Sequence, residues 1–205
     1  MIQTIPFCIL KVYTVLYISG LIYFYKPNLE QMMKSNLLIS VLLLGASFNV
    51  FAEHAKTLTV KEEITINAPA DKVWEKVSNF NDLGAWHPAV KKTEITKGEN
   101  NKVGAERLLT LQDDGTIQEK LLAYNAKGKT FKYSIIEGVL PVSSYVSSVT
   151  VKPATKNTAT VIWKGDFKRK DVSDTPAEGQ DDANAVKVIT SVYKGGLENL
   201  KKITE

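Results

Sequence analysis

An arginine and a glutamate, Arg107 and Glu119, flank the turn-forming run Asp113-Asp114-Gly115, each inside a stretch that alternates apolar with polar side chains. Turned inward on neighbouring strands, such a pair makes a structural ion pair, a carboxylate that orients a ligand, or a general acid or base, because a buried carboxylate must be paired, hydrated or protonated. Tyr133 and Tyr145 sit in later alternating stretches. Inward tyrosines either fill a core with a satisfied hydroxyl or lend that hydroxyl to a ligand. His87, in Trp86-His87-Pro88, can titrate near neutrality and so is the alternative acid or base beside Glu119. Its plainer role is a loop residue next to a Trp86 that caps the core.

The turn sets which side chains share a face. A three-residue loop Asp113-Asp114-Gly115 with Gly115 left-handed would face Gln112 with Thr116 and bring Arg107, Leu109 and Leu111 to the side of Ile117, Glu119 and Leu121. Arg107 would then lie within diagonal reach of Glu119. A two-residue Asp114-Gly115 turn would leave Leu109 and Leu111 in water, so the longer loop is expected. The same alternation turns Phe131, Tyr133 and Ile135 inward, then Tyr145, Ser147, Val149 and Val151, then Val161, Trp163 and Phe167.

These residues need a sheet to hold them, and the chain supplies one. Leu58 to Ala68 alternates with the period of a half-buried strand. Pro69-Ala70-Asp71 opens a helix whose inner face is Val73, Trp74, Val77 and Phe80, with Asp71 favourable near its N-terminus. Asn81 to Pro88 is a short irregular helical turn. Six strands are expected over about 89–97, 104–112, 116–124, 129–137, 142–152 and 158–169, parted by short Gly-, Asn-, Asp- and Pro-containing turns that imply an antiparallel meander. From about Asp181, Val186, Ile189, Tyr193, Leu197 and Leu200 recur at helical spacing. The expected fold is α+β: a seven-stranded antiparallel sheet wrapped around a long C-terminal helix, with two short helices after the first strand. Such a curved sheet has more inner surface than one helix covers, and the remainder is expected to be a pocket. Gly195-Gly196 in mid-helix costs about 1 kcal/mol per residue relative to alanine, which suggests close approach by the sheet or a ligand, or a packing accommodation.

The chain has 205 residues, with 26 Lys+Arg against 22 Asp+Glu, 2 His and 1 Cys. A net charge of +4 spread thinly gives no case for nucleic acid, and one cysteine excludes a disulfide scaffold or a multi-cysteine metal site. Residues 1–52 carry only Lys11, Lys26, Glu30 and Lys34 as charged side chains. Within them, residues 32–52 have a basic start at Lys34, an apolar run, and small residues up to Val50-Phe51-Ala52, the pattern of an export signal cleaved after Ala52. Residues 1–31 are then either an extension upstream of a true start at Met32 or Met33, or a retained membrane segment. The folded domain is expected to span 53–205 and to be periplasmic or secreted, touching the membrane only through that leader or anchor. Cys8 lies outside it. Asp171, Asp174, Asp181 and Asp182 fit no calcium-loop spacing, no His pair has helical separation, and the P-loop, dinucleotide and Gly-x-Ser-x-Gly patterns do not occur. No metal and no cofactor is expected.

The order of elements, with Ala68-Pro69-Ala70-Asp71-Lys72-Val73-Trp74 leading into the first helix, resembles the SRPBCC or START-like helix-grip superfamily over Lys56 to Thr204. That group includes lipid-transfer domains, the birch-pollen-allergen family, plant abscisic acid receptors and the bacterial polyketide cyclase/dehydrase group. Echoes of it are Val103-Gly104-Ala105-Glu106-Arg107, Glu119-Lys120-Leu121, Tyr133-Ser134-Ile135, Leu140-Pro141-Val142-Ser143-Ser144-Tyr145 and Val161-Ile162-Trp163. With its leader, the chain is most similar to the small periplasmic MxaD-like members. In the hormone receptors a glutamate and a tyrosine on adjacent strands reach the ligand through water, and Glu119 and Tyr145 match them; the lysine that pairs with that hormone's carboxylate has no counterpart. The resemblance implies a domain that encloses a small hydrophobic or lipid-like molecule. Its polar contacts would be Glu119, Arg107 and Tyr145, and its walls Leu109, Leu111, Tyr133, Ile135, Trp163, Ile189 and Tyr193. The alternatives are a cyclase or dehydratase in which Glu119 or His87 moves a proton, and an accessory that binds a periplasmic partner protein.

Overall fold

The computed structural model describes residues 14–18, 21–25 and 55–205. Thr14–Ile18 (β1) and Leu21–Tyr25 (β2) pair antiparallel with Thr14 opposite Tyr25, in a unit of their own. The export signal expected over 32–52, its cleavage point, and the remainder of 1–31 lie outside the described residues.

In the second unit, Leu58–Ile66 (β3) leads through Pro69, whose φ of −58° suits a helix start, into Ala70–Val77 (α1). Ala70, Val73, Trp74 and Val77 recur at helical spacing and are buried together, while Asp71 stays in the first turn. A 3-10 turn at Leu83–Ala85 follows. Then come Val90–Lys97 (β4), Glu106–Leu111 (β5), Thr116–Asn125 (β6), Thr130–Gly138 (β7), Val142–Pro153 (β8) and Ala159–Arg169 (β9). They form one antiparallel sheet of seven strands in the order β3-β9-β8-β7-β6-β5-β4. The chain closes with Asp182–Thr204 (α2), capped by Asp181, whose carboxylate accepts the Asn184 N–H at 2.7 Å.

The inner sheet face is the one the alternation marks. Arg107, Leu109, Ile117, Glu119, Leu121, Phe131, Tyr133, Tyr145, Ser147, Val149, Val151, Val161, Trp163 and Phe167 are all buried, with Leu111 and Ile135 partly so. Against them α2 lays Ala185, Ile189, Tyr193, Gly196, Leu197 and Leu200. The two adjacent glycines differ sharply. A Cβ on Gly195 would meet nothing within 4 Å, whereas one on Gly196 would stand 2.6 Å from His87 Cδ2 and 2.9 Å from Trp163 Cζ3. Gly196 is there because the sheet and the loop before β4 press onto that turn of helix.

One turn differs from its expected form. Thr110 pairs with Thr116, the Leu111 N–H donates to Gly115 O at 2.8 Å, and Asp114, not Gly115, is left-handed, with φ 62°. The loop is therefore Gln112-Asp113-Asp114. Aspartate tolerates that conformation, and Asp113 Oδ1 accepts the Gly115 N–H at 3.1 Å to close the turn. The slip of register moves by two residues, so every side chain keeps its face. Arg107 comes directly opposite Glu119 instead of diagonal to it.

A second irregularity lies between β7 and β8. Their pairing runs from Thr130↔Thr150 to Ser134↔Val146 and stops there. β6 stays paired to β7 as far as Ile117↔Gly138, and β8 to β9 as far as Val142↔Arg169, so the sheet forks. Each arm carries a bulge at this level: Ile136 is an extra residue against β6, and Ser144-Tyr145 oppose β9 with one residue too many. Ser144 is left-handed there, φ 50°.

Candidate functional site

Arg107 and Glu119 meet on the inner face. Arg107 Nε donates to Glu119 Oε2 at 2.7 Å and Nη2 lies 2.6 Å from the same oxygen, with both side chains buried. The third nitrogen, Nη1, donates to the Phe80 carbonyl at 2.5 Å, and the guanidinium carbon lies 4.0 Å from the centroid of the Phe80 ring. Asn101 Oδ1 accepts the Phe80 N–H at 2.9 Å, so that peptide is fixed on both sides and holds the arginine in turn. Burial pushes the Glu119 carboxyl above the usual carboxylate range, and Arg107 opposes the shift through charge and hydrogen bonding. Both arginine contacts fall on Oε2, and among the described residues Oε1 has no protein donor.

Beside the pair lies a set of hydroxyls. Ser147 Oγ donates to the Lys164 carbonyl at 2.8 Å and lies 2.8 Å from Tyr193 Oη. Tyr193 Oη is 2.5 Å from Tyr145 Oη, which is 3.4 Å from Tyr133 Oη. Trp163 Nε1 donates toward both Tyr133 Oη and Ser147 Oγ at 3.0 Å. A carbonyl only accepts, so the serine proton is spent on Lys164. For every remaining contact to carry a proton, Tyr193 donates to Ser147, Tyr145 to Tyr193 and Tyr133 to Tyr145. Burial pushes the Tyr133 hydroxyl up to about 12, helped by the negative Glu119 nearby, and raises Tyr145 and Tyr193 as well. The indole of Trp163 stacks on the Tyr193 ring at 4.4 Å between centroids. Gly165 makes room for this cluster, since a Cβ there would collide with Tyr193 Oη.

His87 lies in the loop before β4 and is buried there. Its Nδ1 accepts the Ala89 N–H at 3.2 Å, so Nε2 carries the proton and donates to Val192 O of α2 at 3.0 Å. Desolvation pushes its pKa below the ordinary histidine value, against the bond to Val192 and with the help of Arg107. The ring is edge-on to Trp163, centroids 5.8 Å apart. Trp86 is buried against Trp163 as well, and Asn199 Nδ2 holds its carbonyl at 2.9 Å.

Between these groups and α2 lies a cavity of about 70 Å³. Of the residues expected on its wall, Leu109, Leu111, Glu119, Tyr133, Ile135, Tyr145, Trp163 and Ile189 line it. Arg107 and Tyr193 are not among the lining residues, because the arginine is spent on Glu119 and Phe80 and the Tyr193 hydroxyl on the cluster. Leu83, His87, Ala89, Val90, Ile117, Leu140 and Val192 complete the wall. Val192 and Ile117 carry a sequence signal that was available: they continue the helical and alternating patterns of Ile189 and Glu119. The loop residues Leu83, Ala89 and Leu140 carry none. The cavity is well short of the roughly 300–1,000 Å³ of ordinary small-molecule sites. A lipid-like molecule would require its wall to move.

A long helix gripped by a curved antiparallel sheet, with a cavity between them, defines the helix-grip class of ligand-binding folds. Residues 57–205 match the family described as polyketide cyclase / dehydrase and lipid transport, and the chain belongs to that family. It is similar to the solved structure of XoxI from Bacillus cereus, at 28% identity and TM-score 0.62, covering 71% of this chain and 94% of that one. It is also similar to an uncharacterized protein from Bacillus thuringiensis, at 28% identity and TM-score 0.63, covering 72% and 98%. A protein from Nitrosospira multiformis matches at 26% identity and TM-score 0.60, covering 72% and 97%. No curated protein matches the chain.

Proposed function

We propose that this protein is an exported, non-enzymatic binding domain whose cavity takes a small molecule with an apolar body and one hydrogen-bond-donating group, seated on Glu119. The observation that carries the reading is the asymmetry of that carboxylate: Oε2 is taken twice by Arg107, while Glu119 lines a largely apolar cavity with Oε1 unclaimed among the described residues. The other polar groups have no proton to offer, since the hydroxyl set donates internally and His87 Nε2–H is held by Val192. Arg107 acts through Glu119 as a positioning residue, and Tyr145 contributes ring surface. A histidine kept neutral with both nitrogens bonded to backbone speaks against general acid/base work at His87. The sparse charge of residues 1–52, with Lys34 before an apolar run ending at Ala52, supports export to the periplasm or beyond. N-terminal sequencing of the mature protein, expected to begin at Glu53, tests that part.

The binding reading is tested by native mass spectrometry of the protein purified gently from its own host. An added mass that is lost on denaturation is expected, and bare protein at the calculated mass overturns stable binding. A co-purified polypeptide would instead favour a partner protein. Glu119→Gln should weaken the identified ligand about 10- to 100-fold, the range for losing a hydrogen bond to a charged group. Chemical conversion of the ligand by the native protein, abolished in Glu119→Gln, would make the domain an enzyme.

A further inference from the structure

The cavity is too small for the ligands that such sites usually take, yet a larger space adjoins it. A groove of about 530 Å³ lies at the fork between β7 and β8. The first rung missing from the pairing is the one that would join Ile135 to Tyr145, directly after Ser134↔Val146. Those two residues line both spaces. A bulge on each arm, and a serine held at φ 50° in the β8 one, spread the fork at this level. Non-glycine residues hold such a conformation only where surroundings enforce it, and bulges near sites re-aim the strand.

We propose that the fork is the second compartment of the binding site, taking the hydroxyl-rich end of a ligand whose apolar body, with its one donor on Glu119, occupies the inner cavity, with Ile135 and Tyr145 as the movable partition. This rests on the binding reading above. The groove's chemistry selects the head group. Thr116, Gln118 and Ser144 offer neutral hydrogen-bonding side chains, Ser143 Oγ is already spent on Arg169 O at 2.9 Å, and the charges are one cation, Lys170, and one anion, Glu137. Lys170 Nζ is already engaged by Gly138 O at 2.9 Å. A charge-balanced, hydroxyl-lined groove suits an uncharged polyol better than a phosphate or carboxylate. Ile136 and Val139, 51% and 54% exposed, leave an apolar rim for the first carbons of the chain.

The test uses methyl NMR of the full chain titrated with 8-hydroxyoctyl β-glucoside below any micelle concentration, the terminal hydroxyl supplying the donor for Glu119. Leu109 and Ile117 report the inner cavity; Ile136 and Val139 report the fork. Both sets should shift with a single Kd. Val139→Asp, at an exposed position where folding is undisturbed, should raise that Kd about fivefold or more in both sets, and Ile135→Ala should speed association. Shifts confined to the inner methyls, or indifference to Val139→Asp, overturn the fork and leave the cavity reading standing. Shifts confined to the fork overturn the joint site and count against the cavity reading too. If neither set moves, the fork proposal falls for this head group, and the cavity reading then stands or falls on the mass carried by the native protein.

Discussion

Gly195 and Gly196 are neighbours in the same helix, and alanine should act in opposite directions at the two. Replacing a helix-interior glycine by alanine gains about 1 kcal/mol from propensity and from the less flexible unfolded chain. At Gly195 nothing opposes the gain, because the new methyl would meet no atom within 4 Å. Gly195→Ala should therefore stabilise by about 0.5–1 kcal/mol. At Gly196 the methyl would stand 2.6 Å from His87 Cδ2 and 2.9 Å from Trp163 Cζ3. Carbon contacts settle at about 3.5–4.0 Å, so both rings must recede by roughly an ångström. Overpacking of this kind costs about 1–3 kcal/mol. The shift also parts His87 Nε2 from Val192 O, now 3.0 Å away, and a buried donor left unpaired costs about 1–3 kcal/mol more. After the propensity gain, Gly196→Ala should be destabilising by about 1–5 kcal/mol, or several degrees in Tm for a domain of this size. Urea denaturation at constant m measures both. The imidazole N–H resonance of His87 checks the cause, since it should move in Gly196→Ala and stay in Gly195→Ala. Equal stabilisation by both substitutions would refute the close approach of His87 and Trp163 to α2.

Other consequences follow from the buried charges. Arg107→Leu leaves Glu119 buried without its counter-ion and should cost about 3–5 kcal/mol near neutrality. The loss should shrink as pH falls through the raised Glu119 pKa, because a neutral carboxyl needs no partner; a pH-independent loss in urea melts would contradict the pair. Tyr133 keeps its proton up to about 12 when folded and only to about 10 when unfolded. Stability should be complete below pH 10 and fall by about 3 kcal/mol as pH rises through 12, with a visibly flatter decline in Tyr133→Phe. His87 has its pKa depressed by burial, so the folded state binds fewer protons. Stability should hold above about pH 6.5 and decrease below it until the folded value is passed. Calorimetry of His87→Gln between pH 4 and 7 should show that slope reduced.

Strand alternation carried the sheet, its inner face and most of the cavity wall into view before any coordinates, because a period of two is a direct record of which side is buried. It could not place the β5–β6 loop. Moving a register by two residues leaves every side chain on its face, so Gln112-Asp113-Asp114 and Asp113-Asp114-Gly115 are indistinguishable by pattern, and only the former sets Arg107 squarely against Glu119. The size of the cavity was equally hidden, since it depends on how far α2 sinks onto the sheet. That depth is set by two missing methyl groups, at Gly165 and Gly196. The fork left no trace, as β7 and β8 each read as an unbroken strand and Ser144 has no residue type that announces a left-handed turn. His87 is the loop residue it was expected to be, but sequence gives the loop and not the helix carbonyl waiting for its ring.

The hydroxyl set has a directionality with a chemical consequence. Each hydroxyl donates to the next, from Tyr133 through Tyr145 and Tyr193 to Ser147, and the last acceptor is the Lys164 carbonyl of strand β9. A peptide oxygen cannot hand a proton onward. The line is a cul-de-sac, so a proton delivered to Tyr133 has no exit and none can be drawn from solvent at the far end. The interior is thus wired as a fixed dipole and not as a conduit: it can tell one orientation of a guest from another, but it cannot replenish a group that spends its proton.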